Sequence, residues 1–271
     1  MLNLSAYRLD VNGIATRVLE AGSAGTPVVF VHGAGGRADR WARNLDALAA
    51  AGYRAYAFDL PGHGFAAKGA GVACSVPAYR DMLAGFLDAI GAARAALVGT
   101  SLGGHVVAAY AARNPGRVRA VALAGSLGLV PVGEETRLRV QAGLADQSRA
   151  GVLAKLERLL GDPSLATPEL VEEDVRINNS PGAKESFAAL GRYVATQLDD
   201  DVVGEQLAAS GLPVLLVWGE GDRSVDLSVG RAAAALIPGA RLLVLPGAGH
   251  APYLEKPEAF NRALIEFLNA P

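Results

Sequence analysis

Hydrophobic residues occupy this chain in two textures that keep replacing one another. At 28–31 (VVFV) four apolar residues follow without a break, the pattern of a strand covered on both faces inside a parallel sheet. Helical spacing takes over at 41–51, a strand at 53–58, a helix at 76–90, a strand at 95–98, a helix at 102–113 and a strand at 118–124. Such alternation predicts repeated βαβ units and a mainly parallel sheet. Ahead of it, 7–19 alternates around Asn12 and Gly13, which predicts an N-terminal β-hairpin. Between about 129 and 210 the strand pattern is missing, and helical stretches succeed one another with breaks at Gly161, Pro163, Pro168 and Pro181. Strand texture returns at 213–218, followed by a helix at 227–236, a strand at 241–245 and a closing helix at 258–268. One α/β core, 1–128 and 211–271, carrying an α-helical cap, 129–210, accounts for that order. Ligands of open α/β sheets bind beyond the carboxyl ends of the strands, so a cap leaving from that edge roofs the site.

Composition narrows the function classes. The 271 residues are 51% hydrophobic and 19% charged, as in a globular chain. A net charge of −2, with no long basic run, argues against a nucleic-acid footprint or an anionic-membrane patch. The one cysteine, Cys74, cannot close an internal disulfide, so the fold does not depend on an oxidising compartment. A lone loop thiol is also a weak candidate for a nucleophile. The first ten residues lack a basic start followed by an apolar core, and no segment supplies the ~18 uncharged apolar residues of a membrane helix. The expectation is a cytoplasmic protein acting on a small molecule, with neither nucleic acid nor membrane as partner.

The chemistry concentrates where strands end. Residues 99–103 (GTSLG) follow a strand and open a small-residue helix, the context of a nucleophile elbow. Glycines at 99 and 103 remove Cβ atoms where strand and helix would collide around Ser101. A serine hydroxyl needs a base within hydrogen-bond reach, itself oriented by a third group. His250 follows the last strand in a small-residue loop and is the candidate base. His32 and His63 lie in glycine-rich turns and are read as loop pins, while His105, four residues after Ser101, projects along the helix. Asp222 ends its strand between Ser101 and His250 in chain order, the order expected of this architecture. Glu220 is a rival for that role, and Asp226 is read as a helix cap. Two backbone N–H groups, of Leu102 and Ala34, are the candidate oxyanion donors, worth about 3 kcal/mol each. The loop 32–36 (HGAGG) that supplies Ala34 has neither G-x-G-x-x-G spacing nor a Walker lysine, which weakens a phosphate-loop reading.

With these elements in order, the chain resembles the α/β-hydrolase superfamily over nearly everything outside the cap. The resemblance rests jointly on 32–36 (HGAGG), 59–64 (DLPGHG), 99–103 (GTSLG), 218–222 (WGEGD) and the pair Gly249-His250. It implies an eight-stranded, mostly parallel sheet flanked by helices, with the second strand antiparallel, a lid, and Ser101, Asp222 and His250 as a triad. Val225-Asp226 departs from the Val-Pro often found in relatives and touches loop stiffness rather than chemistry. Residues 162–173 (DPSLATPELVEE) look like the cap of meta-cleavage-product hydrolases, which cut carbon–carbon bonds in dienoic ketoacids. Those enzymes commonly carry Asn before the serine and Trp after the histidine, positions held here by Thr100 and Ala251. The stretch 251–255 (APYLE) is instead similar to the esterase and lactonase branch. Ser101 argues against haloalkane dehalogenases and epoxide hydrolases, which place Asp at the elbow.

The reading that follows is a cofactor-independent serine hydrolase cleaving carboxylic esters through an acyl-enzyme. Carbon–carbon or lactone hydrolysis is the alternative within the fold, and a non-catalytic small-molecule receptor the alternative outside catalysis. In the cap, Leu144, Val152, Leu153, Leu156, Leu159 and Leu160 recur at helical spacing, mostly as lid core with some positions facing a pocket.

Overall fold

A computed structural model describes residues 4–270, so the first three residues of the stretch read for a leader lie outside it, as does residue 271. The hairpin forms as β1 (Ser5–Val11) and β2 (Ile14–Ala21). Asn12 and Gly13 between them have φ of 53° and 79°, the paired positive angles of a tight two-residue hairpin turn. Then come β3 (Pro27–Val31), α1 (Ala42–Ala50), β4 (Arg54–Phe58), α2 (Val76–Ala89), β5 (Ala95–Thr100), α3 (Leu102–Arg113) and β6 (Val118–Ala124). Five helices intervene before the next strand: α4 (Glu134–Ala145), α5 (Arg149–Leu159), α6 (Pro168–Asn178), α7 (Ala183–Gln197) and α8 (Gly204–Ala209). The chain closes with β7 (Val214–Gly219), α9 (Leu227–Leu236), β8 (Arg241–Leu245), α10 (Pro252–Glu255) and α11 (Pro257–Asn269). No helix among the described residues is long and apolar enough to cross a membrane.

The eight strands form one sheet in the order β1-β2-β4-β3-β5-β6-β7-β8. β2 is antiparallel to both neighbours, and every other pair is parallel. The unbroken apolar runs are explained by burial on two sides. Val29 and Val31 belong to one buried cluster with Leu83 and Phe86 of α2 and Val106 of α3, whereas Val28 and Phe30 belong to the other with Leu45 and Leu48 of α1 and Leu264 of α11. Strand β5 runs two residues beyond the apolar stretch, because Gly99 and Thr100 still pair through their backbone with Leu123 and Ala124 of β6.

The helices between β6 and β7 are fastened to the sheet edge by charge. Arg37 and Arg40, in the turn after β3, both pair with Asp174 of α6, and Arg37 also with Glu173. Arg37 and Asp174 are buried, so either one left alone would be an uncompensated interior charge. Asp59, at the end of β4, accepts from Ala38 N at 2.7 Å, Phe65 N at 2.8 Å and Arg17 Nε at 2.9 Å, tying two adjacent loops together.

Three histidines are enclosed, each with its pKa lowered chiefly by burial: His32, His105 and, furthest, His63. Their folded values lie below the ordinary 6.5, so between those pH values the unfolded chain binds more protons than the folded one. Unfolding free energy therefore falls as pH drops below about 6.5, by up to about 1.4 kcal/mol per pH unit for each histidine. Urea unfolding at pH 7.5 and pH 5.5 reads this as a lower midpoint in acid. An unchanged midpoint would mean that these rings are protonated in the native state.

Candidate active site

Leaving β5, the backbone turns through Ser101 at φ 52° and ψ −122°. Among the described non-glycine residues only Asn12 shares a positive φ, a conformation that costs on the order of 1–2 kcal/mol. The surroundings hold it. Ser101 N donates to Ala124 O at 3.0 Å, and Ser101 O accepts from His105 N at 3.2 Å and Leu127 N at 3.1 Å. The crowding expected at the flanking glycines is present: a methyl on Gly99 would sit 2.4 Å from Gly103 O, and one on Gly103 2.3 Å from His32 O. Ser101 thereby precedes the first turn of α3, where the Leu102 N–H has no partner within the helix.

His250 lies in the loop after β8, with Nδ1 2.8 Å from Asp222 Oδ2. The other carboxylate oxygen of Asp222 accepts from Ser224 N at 2.8 Å and Val225 N at 2.9 Å. Oδ2 is an acceptor, so the ring proton is assigned to Nδ1 and Nε2 is left with its lone pair. His250 is positioned from three directions. Its N–H donates to Leu159 O of α5 at 2.7 Å, Glu255 accepts from Gly249 N at 2.9 Å and Ala251 N at 3.2 Å, and Gly125 packs against the ring. A methyl on Gly125 would lie 3.0 Å from His250 Nδ1 and 3.1 Å from Asp222 Oδ2.

Ser101, His250, Gly33 and Ala34 line one cleft, with Asp222 behind the imidazole. Gly33 stands directly before the serine, since a methyl there would be 3.0 Å from Ser101 Cβ and 3.6 Å from Oγ. Ala34, Ser101 and His250 are thus brought together around one opening, with Asp222 held to the imidazole and Leu102 next to the serine in the chain. The rivals are not. Glu220 is exposed, and Asp226 caps α9 by accepting from Ser228 N at 2.8 Å. His32 accepts from Leu60 N at 2.9 Å, His63 Nδ1 faces Pro61 O, and His105 Nε2 is 2.8 Å from Asp201 O. Cys74 is buried, and burial pushes its thiol pKa up.

The helical insertion supplies the opposite wall. Leu144, Leu156, Leu159 and Leu160 line the cleft, Val152 is buried in the core, and Leu153 is 36% exposed. Reading the apolar stripe alone missed the charges within it: Arg139, Lys155 and Arg158 line the same cleft. The signal was available as two cations three residues apart, Lys155 and Arg158, inside an otherwise leucine-rich helix. Gly125 follows β6, which ends at the same sheet edge.

A sheet of this order with a strained serine elbow and a histidine–carboxylate pair defines the α/β-hydrolase class. The family model for the alpha/beta hydrolase fold matches residues 26–257, and the chain belongs to that family. It is 34% identical to a 2-hydroxy-6-oxononadienedioate/2-hydroxy-6-oxononatrienedioate hydrolase of Burkholderia vietnamiensis, over 92% of this chain and 89% of the relative. It is 35% identical to the dihydrolipoyllysine-residue acetyltransferase component of the acetoin cleaving system of Cupriavidus necator, over 97% of this chain and 69% of that protein. Among solved structures, the meta-cleavage product hydrolase from Pseudomonas fluorescens IP01, complexed with acetates, superposes with a TM-score of 0.87 at 28% identity, covering 99% of both chains.

Proposed function

We propose that this chain is a serine hydrolase of the meta-cleavage type, cutting a carbon–carbon bond beside a ketone in a conjugated ketoacid. The observation that carries the proposal is the near full-length similarity to a dienedioate hydrolase, joined to a serine elbow and an oriented histidine on one cleft. Ser101 is the nucleophile, His250 the base, Asp222 its orienting acid, and the N–H groups of Ala34 and Leu102 the oxyanion donors. Residues 129–210 form the lid.

The chemistry needs these parts in sequence. His250 Nε2 takes the Ser101 proton as Oγ bonds to the ketone carbon, and the resulting oxyanion is held by the two amides. Collapse of this intermediate breaks the adjacent carbon–carbon bond. With the leaving carbon saturated, as in the diketo tautomer of such a ketoacid, the departing electron pair delocalises into the adjacent conjugation as an enolate and takes up the proton held by His250. Water, deprotonated by the same imidazole, then releases the acyl group from Ser101.

Ester cleavage is the second reading, and it has its own support. Thr100 donates its hydroxyl to Ala124 O at 3.0 Å, which commits it to the fold rather than to a substrate, and Ala251 offers only a methyl group. Parallel assays of a dienoic ketoacid and a p-nitrophenyl ester of matching acyl size separate the two. The expected result is a kcat/KM at least about 100-fold higher for the ketoacid, or about 2.7 kcal/mol of preferential transition-state binding. The reverse ranking makes the protein an esterase.

A further inference from the structure

The stretch 157–161, where α5 ends, is hydrogen-bonded to both of the loops that carry Asp222 and His250. From the loop after β7, Arg223 Nη2 donates to Leu160 O at 2.8 Å and also to Glu157 O, carbonyls that a helix end leaves without partners of its own. From the loop after β8, His250 N donates to Leu159 O at 2.7 Å. Glu255 spans the remaining gap. Its Oε1 accepts from Gly249 N at 2.9 Å and Ala251 N at 3.2 Å, on either side of His250, while its Oε2 accepts from Gly161 N at 2.6 Å. One carboxylate therefore joins the histidine's loop to the helical insertion.

The two backbones meet too closely to admit a side chain. A methyl on Gly161 would sit 2.7 Å from Gly249 N, and one on Gly249 would sit 2.5 Å from Gly161 N, so glycine on both sides is what allows the approach. Leu159 and Leu160 also line the cleft. The same short stretch thus walls the substrate space and holds the loop of the base. A carboxylate that served only its own loop would need acceptors on one side, whereas Glu255 divides its two oxygens between core and insertion.

We propose that Glu255 is a positioning residue that couples the seating of 157–161 to the alignment of His250, so that the base faces Ser101 only while this part of the insertion is docked. Departure of the stretch removes the acceptor of His250 N and one end of the Glu255 bridge. The imidazole then loses its mount although its bond to Asp222 is untouched. The inference rests on the hydrolase reading above and adds to it how the base is kept in register.

Diisopropyl fluorophosphate is small and reacts with a serine that a neighbouring base activates, so its second-order rate at Ser101 reads the serine–histidine pair rather than substrate fit. Measured on the full chain beside kcat and KM, Glu255→Ala is expected to lower the labelling rate and kcat together by about 30-fold, with KM within about threefold, as a small misplacement of a catalytic group does. Glu255→Gln tests the bridge itself. Its single amide oxygen can serve Gly161 N or the pair at 249 and 251, not both, so its rate is expected to stay within about threefold of the alanine variant. Gly161→Ala reaches the joint from the insertion: its methyl presses on Gly249, Ala248 and Glu255, and labelling is expected to fall about tenfold. Each variant is read in protein that circular dichroism shows to be folded, and either Glu255→Ala or Gly161→Ala alone decides. A role confined to stability would lower the unfolding midpoint and leave the labelling rate within about threefold of the parent, and that result, or full recovery in Glu255→Gln, overturns the proposal. A parent whose Ser101 takes no label overturns the hydrolase reading instead.

Discussion

Changing Ser101 to alanine lowers kcat by about 10⁶-fold while leaving the fold and substrate binding in place, the scale seen when a serine nucleophile working with a histidine is removed. The residue sits at φ 52° with its backbone N–H and carbonyl both hydrogen-bonded, and alanine keeps that backbone because those bonds use no side-chain atom. The same strain is present in both forms, so unfolding midpoints should agree within a few tenths of a kcal/mol. Residual turnover above the uncatalysed rate comes from the amides of Ala34 and Leu102 and from binding. Steady-state kinetics on purified protein, checked by circular dichroism, measures this. A loss of less than tenfold would remove Ser101 from the mechanism.

Asp222→Asn is the second large effect, with kcat falling by about 10⁴-fold. The carboxylate faces three donors: His250 Nδ1–H at Oδ2, and Ser224 N–H with Val225 N–H at Oδ1. An amide has one oxygen and one NH₂, so it cannot accept at both ends. If the NH₂ turns toward His250, the ring proton must move to Nε2, the nitrogen that should accept from Ser101. If it turns toward the loop, two buried N–H groups lose their acceptor, at about 1–3 kcal/mol each. The first arrangement keeps an acceptor for both backbone donors and is favoured, and it disarms the base. Equal kcat in wild type and variant would show that Asp222 serves only the loop.

Much of this arrangement was legible in the chain because local rules govern it. The hairpin follows from Asn12-Gly13, both at positive φ, and the interior strands follow from runs such as 28–31, buried on both faces. The elbow was legible because Gly99 and Gly103 sit where any Cβ meets backbone within 2.4 Å. His250 and Asp222 were found from their places at strand ends, since a parallel sheet carries those ends to one edge. The wall of the cleft was not legible in that way. Helical spacing treats Val152, Leu153 and Leu156 alike, whereas packing between helices buries the first, exposes the second and turns the third to the cleft. The same packing encloses Lys155, which helical spacing places on one face with Val152 and Leu159. Gly125 escaped because its role lies across the sheet edge, against His250, and no feature of its own neighbours signals it. Thr100 and Ala251 favour ester over carbon–carbon cleavage, but they are two positions set against a similarity to a dienedioate hydrolase over 92% of the chain.

The claim on which the rest depends is that Ser101 is the activated nucleophile of this cleft. Treating the protein with a fluorophosphonate probe and mapping the adduct by peptide mass spectrometry tests it directly. The account predicts one phosphonylated residue, Ser101, with loss of labelling in Ser101→Ala and strong attenuation in Asp222→Asn. An adduct on another side chain such as Cys74 or Ser224, or full hydrolytic activity in protein whose Ser101 is already modified, would contradict it.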